Sequence, residues 1–304
     1  MLSKKRIEIT ANQVRRLVLE HTIKNNGGYL SQACSSAEIL ATLYEEVLNI
    51  TKPEKPIMPK DFTGVPCKGN KNYFSGNDFH GKVGEEFDRF FVSPAQYALV
   101  IYSALIATKR MDDRGLEHFN KDGGVVEMIG AEHSPGMEVM TGSLGQGISQ
   151  ASGVAFARKR KKHRGRVVLF MSDGEFQIGQ TWEALQAMSY HKLDNLLVYV
   201  DVNGYQCDGK MSDVMDIEPL EDRLRAFGAL VCSVDGHDID KLIECGKLEG
   251  NGKSVFVLCK TDPTRGIDVI RKREPKFHYV RFASEEERQE YVDYYDRLEV
   301  SSWR

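Results

Sequence analysis

The sequence lacks the marks of several protein classes. No run approaches the roughly 20 consecutive apolar residues that cross a bilayer, so no membrane helix is expected. No apolar stretch follows the basic residues of the N-terminus, which is unlike a signal peptide. The net charge of −3 gives no reason to expect nucleic acid as a partner.

The cysteines also lack a pattern. The six are scattered, with no CxxC pair and no metal-ligand spacing. This favours reduced thiols in a cytoplasmic protein. Cys232, Cys245 and Cys259 lie in apolar segments and are predicted to be core residues.

What is present is an alternation of strand and helix patterns. Strands are predicted at 166–171, 196–201, 229–234 and 254–259, and helices at 179–191, 219–226 and 238–245. Such alternation predicts an α/β fold, a parallel sheet with helices on both faces. Further helices are predicted at 12–24, 36–48 and 95–109, the second capped by Ser35 or Ser36.

The chain has no convincing linker, so residues 1–304 are predicted to form a single domain. Residues 51–90 are rich in Pro, Gly, Asn and Lys and show no period, which predicts a long loop. The acidic and aromatic segment 284–299 predicts a helix within a C-terminal helical extension, 281–304.

Polar residues follow two successive predicted strands. Asp173-Gly174 follows one, and Asn203 follows the next, 30 residues later, which is one strand–helix–strand repeat. Both side chains can therefore reach one crevice beyond the carboxyl ends of the strands. Carboxylate and amide oxygens suit Mg²⁺, and Gly174 leaves room for a phosphate. The Gly-rich segment 141–147 opens a helix, whose N-terminus favours an anion.

Each of these features alone is weak evidence for a ligand site, because Asp-Gly and Asn-Gly are common turn dipeptides. At this spacing, and at consecutive strand ends, they favour a magnesium–diphosphate site over two unrelated turns.

The sequence around these residues resembles a known enzyme family. Asp173-Gly174 followed by Asn203 is similar to the thiamine-diphosphate signature. The segments TGSLGQGISQASGVAFA, GQTWEALQAMSYHKLDNL, DVNGYQCDG and RAFGALVCSVDGHDIDKL resemble the N-terminal half of transketolases. The similarity is strong from about 140 to 262 and poor at 51–90 and after 280. It implies the thiamine-diphosphate-binding fold of the PP type.

The resemblance implies a set of site residues. Asp173, the Asn203 side chain and the main-chain oxygen of Tyr205 would hold Mg²⁺. The cofactor-binding set would be Gly142, Ser143, Leu144, Asp173, Gly174, Glu175, Asn203, Cys207 and His278. Tyr29, Gln96 and His278 would be the catalytic residues and form one wall of the site, while thiamine diphosphate supplies the carbanion-stabilising chemistry.

Several positions depart from the family pattern. Tyr29 and Gln96 stand where the family has His, Ser172 where it has Gly, and Ile178 where it has Glu. The His-Pro before the Gly-rich turn is absent, and the nearest candidate, His133, is shifted by about four positions. Gln does not titrate, and Tyr titrates only at about pH 10. We therefore expect transfer of a two-carbon ketol or acyl unit with an unusual substrate.

The resemblance further implies a separate partner subunit carrying the pyrimidine-binding half, in an α2β2 heterotetramer. The substrates would be a small keto donor and a carbonyl acceptor. Two alternatives stay open: a subunit of a 2-oxoacid dehydrogenase or decarboxylating acyl transferase, and a non-catalytic scaffold or regulatory subunit. The TGSLGQG and HKLDNL segments argue against the dehydrogenase, and retention of Asp173, Gly174 and Asn203 argues against the scaffold.

The basic run Arg158–Arg164 could bind nucleic acid or a phosphorylated substrate. We expect instead a solvated helix end, where cations are stabilised by the helix dipole.

Overall fold

The fold is built on one parallel sheet. A computed structural model describes residues 2–65 and 67–301, without the side chains of residues 298–301. The strands are β1 (Arg89–Val92), β2 (Val167–Ser172), β3 (Leu196–Val202), β4 (Tyr205–Gln206), β5 (Gly209–Lys210), β6 (Leu230–Asp235) and β7 (Val255–Lys260). Five of them pair in parallel in the order β1-β2-β3-β7-β6, and β4 and β5 form a short antiparallel hairpin.

Two helices precede the sheet, and from β2 onward helices alternate with the sheet strands as predicted. The helices are α1 (Leu2–Asn25), α2 (Leu30–Thr42), α3 (Ala98–Ala107), α4 (Gly147–Arg160), α5 (Gly179–Tyr190), α6 (Met211–Val214), α7 (Leu220–Ala226), α8 (Ile239–Gly246) and α9 (Glu285–Ser301). A π-helical turn, Leu43–Val47, extends α2. None of these helices, all within the described ranges, combines the length and apolarity that crossing a membrane would need.

The sheet has a helical layer on each face. Because successive side chains of a strand point to opposite faces, the apolar residues of β2 divide between two cores. Val168 and Phe170 pack with α1, α2, α3 and α8. Leu169 and Met171 pack with α4, α5 and α7. This confirms the predicted α/β fold with helices on both faces.

The first strand of the sheet was missed. Residues 51–90 were predicted as a loop, but β1 begins at Arg89 and pairs with β2 from Arg89↔Val167 onward. Four residues are too few to show a period. The rest of that segment is irregular apart from a 3-10 turn, Gly76–His80, and Pro66 lies outside the described residues.

The predicted cap of the second helix is wrong. Helix α2 begins at Leu30, so Ser35 and Ser36 lie inside it. The whole helix is buried, and its small polar residues are satisfied internally: the Ser36 hydroxyl donates to the Gln32 carbonyl at 2.5 Å. Because small polar residues are interspersed along this buried helix, apolar spacing alone does not show that it begins at Leu30.

At the other end of the chain, α9 confirms the predicted helix, and its residues Tyr291 and Val292 pack against the main core. Residues 302–304 of the predicted extension lie outside the described residues.

The basic run at the end of α4 is only partly solvated. Arg158 is 6% exposed, unlike the exposed Lys161. Its guanidinium donates to the carbonyls of Phe87 at 2.7 Å, Glu85 at 3.2 Å and Gly165 at 3.2 Å. Arg158 therefore holds the chain just before β1 and β2, which corrects the expectation of a solvated helix end at this residue.

Replacing Arg158 by Met should destabilise the protein by about 2–4 kcal/mol, because three carbonyls, of which that of Gly165 is buried, lose their donor. Urea unfolding measures this. Lys161→Met, in the same run but exposed, is the matched control and should change the free energy of unfolding by less than about 0.5 kcal/mol. Equal effects of the two changes would contradict the structural role of Arg158.

Candidate functional site

A cavity of about 260 Å³ opens beyond the carboxyl ends of β2 and β3. Strands β2 and β3 end in register, with Ser172 opposite Asp201, so the residues that follow them meet at one edge of the sheet. The predicted site residues that line the cavity are Gln96, Leu144, Gly174, Asn203, Tyr205, Cys207 and His278. The structure therefore brings most of the predicted residues to one place: Gly174 and Asn203 were predicted from the strand spacing, and the others were implied by the family resemblance.

Glu175 ties the end of β2 to the Gly-rich turn. It is fully buried, and its carboxylate accepts hydrogen bonds from the Ser93 hydroxyl, the Gly145 amide at 3.1 Å and the Ser172 amide at 3.0 Å. With Ser172 it forms a capping box at the start of a 3-10 turn, Asp173–Gln177, which gives Ser172 a role that a glycine could not fill. Burial raises the pKa of Glu175 to about 7. Glu175 is not one of the described residues that line the cavity.

Asp173 holds together the turns after both strands. One carboxylate oxygen accepts from the Gly174 amide at 2.9 Å and the other from the Gly204 amide at 2.8 Å. Asp173 borders an adjoining cavity, also of about 260 Å³, and Tyr205 borders both cavities. The Asp173 carboxylate thus lies at the turn that carries Asn203.

The charge of Asp173 is poorly compensated. Its side chain is fully enclosed, and burial, followed by the negative charge of Asp201, raises its pKa to about 8. The lysine that lines the adjoining cavity, Lys210, pairs with Glu274 at 2.9 Å instead. A cation beside Asp173 would lower this electrostatic cost.

Asp201 is a residue that sequence reasoning passed over in favour of Asn203. It is fully buried and accepts hydrogen bonds from Ser35 at 2.5 Å, Tyr97 at 2.8 Å, Thr261 at 2.5 Å and the Asn203 amide at 3.4 Å. These donors come from α2, the turn before α3, the end of β7 and the turn after β3. The signal available in the sequence was an acid at the end of an otherwise apolar strand.

The Asn203-Gly204 pair forms a turn as well as lining the site. The Asn203 side-chain oxygen accepts from the Tyr205 amide at 2.9 Å, and Gly204 has a φ of 75°. That conformation favours glycine. The amide nitrogen of Asn203 is held by Asp201 and by Tyr97, each at 3.4 Å. Its oxygen is therefore fixed in direction and keeps a free lone pair.

The predicted wall of Tyr29, Gln96 and His278 assembles around one side of the cavity. His278 lines it, and burial lowers the pKa of this imidazole. Tyr29 is not a lining residue; its ring packs edge-on against His278, with 5.3 Å between ring centroids. Gln96 has a buried side-chain oxygen that finds no hydrogen-bond partner in the described part of the protein. That oxygen can accept a hydrogen bond from a ligand hydroxyl.

Gln32 is a second residue that sequence reasoning missed. It lines the cavity, and its side-chain amide donates to the His278 carbonyl at 3.2 Å. Helix α2 thereby supports the segment that carries His278. Lys, Arg, Asp and Glu are absent from the described residues that line this cavity, so its wall combines apolar and neutral polar side chains with one histidine.

The remaining predicted residues lie at the margin. Gly142 and Ser143 are exposed and do not line the cavity, whereas their neighbour Leu144 does. Ile178, the replacement for a family Glu, lines the cavity and is 36% exposed. His133 lies elsewhere: it pairs with Glu127 at 3.1 Å.

The residues present fit a magnesium ion and a diphosphate. Within residues 2–65 and 67–301, no group of three His, Cys, Asp or Glu side chains is placed to hold a metal. Asp173, Asn203 and the Tyr205 carbonyl could still supply two side-chain oxygens and one main-chain oxygen, with phosphate oxygens completing the shell. A Cβ on Gly174 would meet only Gln206, at 3.7 Å. Packing within the chain therefore does not require glycine there, and the bare backbone borders the cavity.

Comparisons with known proteins agree with this geometry. The family described as "Transketolase, thiamine diphosphate binding domain" matches residues 85–266. The transketolase family protein y4mO of Sinorhizobium fredii is 33% identical over 91% of this chain and 90% of its own length. The 6-deoxy-6-sulfo-D-fructose transketolase subunit SqwG of a Clostridium species is 30% identical over 84% of each chain. An apulose-4-phosphate transketolase subunit of Actinobacillus succinogenes is 29% identical over 91% of this chain and 92% of its own.

Solved structures share the fold. The transketolase of Campylobacter jejuni superposes with a TM-score of 0.68 at 20% identity, covering 98% of this chain and 48% of the other. The transketolase of Leishmania mexicana gives a TM-score of 0.67 at 21% identity, covering 97% and 45%. The chain thus spans about half the length of the solved structures it matches.

Replacing Glu175 by Gln should destabilise the protein by about 2–3 kcal/mol, because the new amide group turns a donor towards a buried backbone N–H. Urea unfolding tests this, with hydrogen exchange of the Gly145 amide as a local readout. Glu183→Gln makes the same chemical change on the exposed face of α5 and should be nearly neutral. If Glu175→Gln were equally neutral, Glu175 would not hold the Gly-rich turn.

Proposed function

Since the chain belongs to the transketolase family, we propose that it is the thiamine-diphosphate-binding half of a transketolase-like transferase. The enzyme would move a two-carbon ketol unit from a small keto donor to a carbonyl acceptor. The observation that carries this proposal is the family match over residues 85–266 together with the cavity that Gly174, Asn203 and His278 line. We treat residues 1–304 as one domain that contributes this site.

The cofactor site is assigned to the turns after β2 and β3. When bound, thiamine diphosphate supplies the carbanion-stabilising chemistry. We assign Asp173, the Asn203 side chain and the Tyr205 carbonyl as ligands of Mg²⁺. The raised pKa of Asp173 supports this assignment, because a bound cation would lower the electrostatic cost of ionising that buried carboxyl group. Gly174 leaves its backbone open to a phosphate.

Other residues of the set have supporting roles. We assign Leu144 and Cys207 to the cavity wall, with Gly142 and Ser143 at the exposed start of the Gly-rich turn. Glu175 would position that turn through the Gly145 amide without contacting the cofactor.

Gln96 and His278 would contact the reacting substrate. Gln96 offers an unpaired acceptor to a substrate hydroxyl, and the lowered pKa of His278 keeps this imidazole neutral, so that it can accept a proton. Tyr29 would act by orienting His278, since the two rings are in contact.

The second half of the active site would come from a partner subunit. Two similar proteins are named as transketolase subunits and match this chain over most of their own length. Met140, Ile129 and Ile178 are apolar and 61%, 37% and 36% exposed near the cavity mouth and the Gly-rich turn. We propose that a pyrimidine-binding subunit covers them in an α2β2 assembly. The free thiols support a cytoplasmic location.

Activity of the assembled complex tests the proposal. The donor panel should include sulfonated, phosphorylated and unmodified ketoses, because the similar subunits are named for different sugars. We expect ketol transfer to an aldehyde without release of CO₂. Release of CO₂ from 2-oxoacids would favour the decarboxylating alternative. If the complex neither bound the cofactor nor turned over any donor, it would be a scaffold.

Replacing Asp173 by Asn should weaken Mg-dependent binding of thiamine diphosphate at least about 100-fold, or roughly 3 kcal/mol, because a charged ligand is lost. Calorimetry on the complex, with and without EDTA, measures this. Asp222→Asn removes the same charge from an exposed position on α7 and should leave affinity unchanged. Equal affinity for wild type and Asp173→Asn would remove Asp173 from the metal site.

A further inference from the structure

Two cysteines meet at the edge of the sheet, away from the cavity. The sulfur atoms of Cys232, on β6, and Cys245, on α8, lie 2.7 Å apart. Both are free thiols. The separation is only about 0.7 Å beyond the ~2.03–2.05 Å of a disulfide bond, so bond formation needs a small movement of either side chain.

The register of strand and helix sets this contact. In β6, Val231 faces the core that contains α4, α5 and α7, so the pleat turns Cys232 to the opposite face, towards α8. On α8, Leu242 and Cys245 are three residues apart and both buried against the sheet. The pairing therefore follows from the packing of two regular elements and does not depend on a loose loop.

The two thiols differ in access. Cys232 is partly exposed on the edge strand, whereas Cys245 is 3% exposed. Burial, and then the neighbouring Cys232, raise the pKa of Cys245 to about 12. Cys34 and Cys259 are fully enclosed. Of the two thiols in the pair, a reagent in solution therefore reaches Cys232 first, and Cys245 is placed to react second.

We propose that Cys232 and Cys245 are a redox modification site that forms a reversible disulfide by exchange with a small-molecule disulfide. The Cys232 thiolate attacks one sulfur of that reagent, and one small thiol leaves with the proton that Cys232 lost. Cys245, deprotonated by solvent, then attacks the Cys232 sulfur of the mixed disulfide and displaces the second small thiol. Two protein thiols are oxidised, and one small disulfide is reduced to two thiols.

The disulfide would close a loop that already contacts other parts of the fold. The loop spans 13 positions and includes His237. That imidazole contacts the Glu38 carboxylate of α2 at 3.0 Å and accepts from the Asp262 amide, after β7, at 2.9 Å. A disulfide would link β6, which precedes this turn, to α8, which follows it. It should raise the unfolding midpoint by a few degrees, because the unfolded chain is constrained.

The experiment uses the full chain incubated in glutathione–glutathione disulfide buffers and then alkylated with iodoacetamide. Intact mass, peptide mapping and thermal unfolding are recorded. We expect that neither Cys232 nor Cys245 is alkylated, that a cross-linked peptide joins the two, that the midpoint rises by a few degrees, and that dithiothreitol reverses these changes. Formation should accelerate as the pH rises, because the buried Cys245 must lose its proton.

Matched variants separate this pair from the other thiols. Cys232→Ser and Cys245→Ala should each abolish the cross-link and the midpoint shift, and Cys67→Ser, at an exposed cysteine, should keep both. Three results would overturn the proposal: alkylation of both thiols in excess glutathione disulfide, a glutathione adduct that stays on Cys232, or a bond from Cys245 to Cys259. Each of these results would be obtained with the wild-type chain and does not depend on the folding of a variant.

Discussion

Burial of three carboxyl groups at the ends of two neighbouring strands is the constraint on which the site depends. Asp173, Glu175 and Asp201 are all enclosed where β2 and β3 end. Hydrogen bonds satisfy Glu175 and Asp201 and join the Gly-rich turn, α2 and β7 to the sheet edge. Asp173 is the least compensated of the three. A carboxylate in that position favours a cation, and the fold around it leaves space for the anion that a cation would bring.

The rest of the site follows from this arrangement. Asp201 directs the Asn203 side chain, and Asp173 holds the backbone of the turn that Asn203 begins. The described residues that line the cavity include Gln32, Gln96 and His278 but no Lys, Arg, Asp or Glu. Charge would thus be concentrated at the cofactor end, while the substrate end would recognise hydroxyls by hydrogen bonding.

Local patterns predicted some parts of this molecule and could not predict others. Strands β2, β3, β6 and β7 are largely apolar runs of six or seven residues, so their bounds were right within a residue, whereas the two-residue strands β4 and β5 were not predicted. The spacing from Asp173 to Asn203 placed both residues at one sheet edge. Strand β1 was missed because four residues show no period. Asp201 was missed because its partners are distant, Ser35 by 166 residues and Thr261 by 60. The buried Arg158 could not be told from the solvated cations beside it.

One diffraction experiment tests the central claim most directly. Crystals of the complex grown with thiamine diphosphate and Mn²⁺ in place of Mg²⁺ would reveal the metal by its anomalous signal. The account predicts a peak within roughly 2.0–2.3 Å of an Asp173 carboxylate oxygen, the Asn203 side-chain oxygen and the Tyr205 carbonyl. Density for the cofactor with no peak at Asp173, or a peak held by other residues, would contradict it, because the buried charge at the strand ends would then serve another purpose.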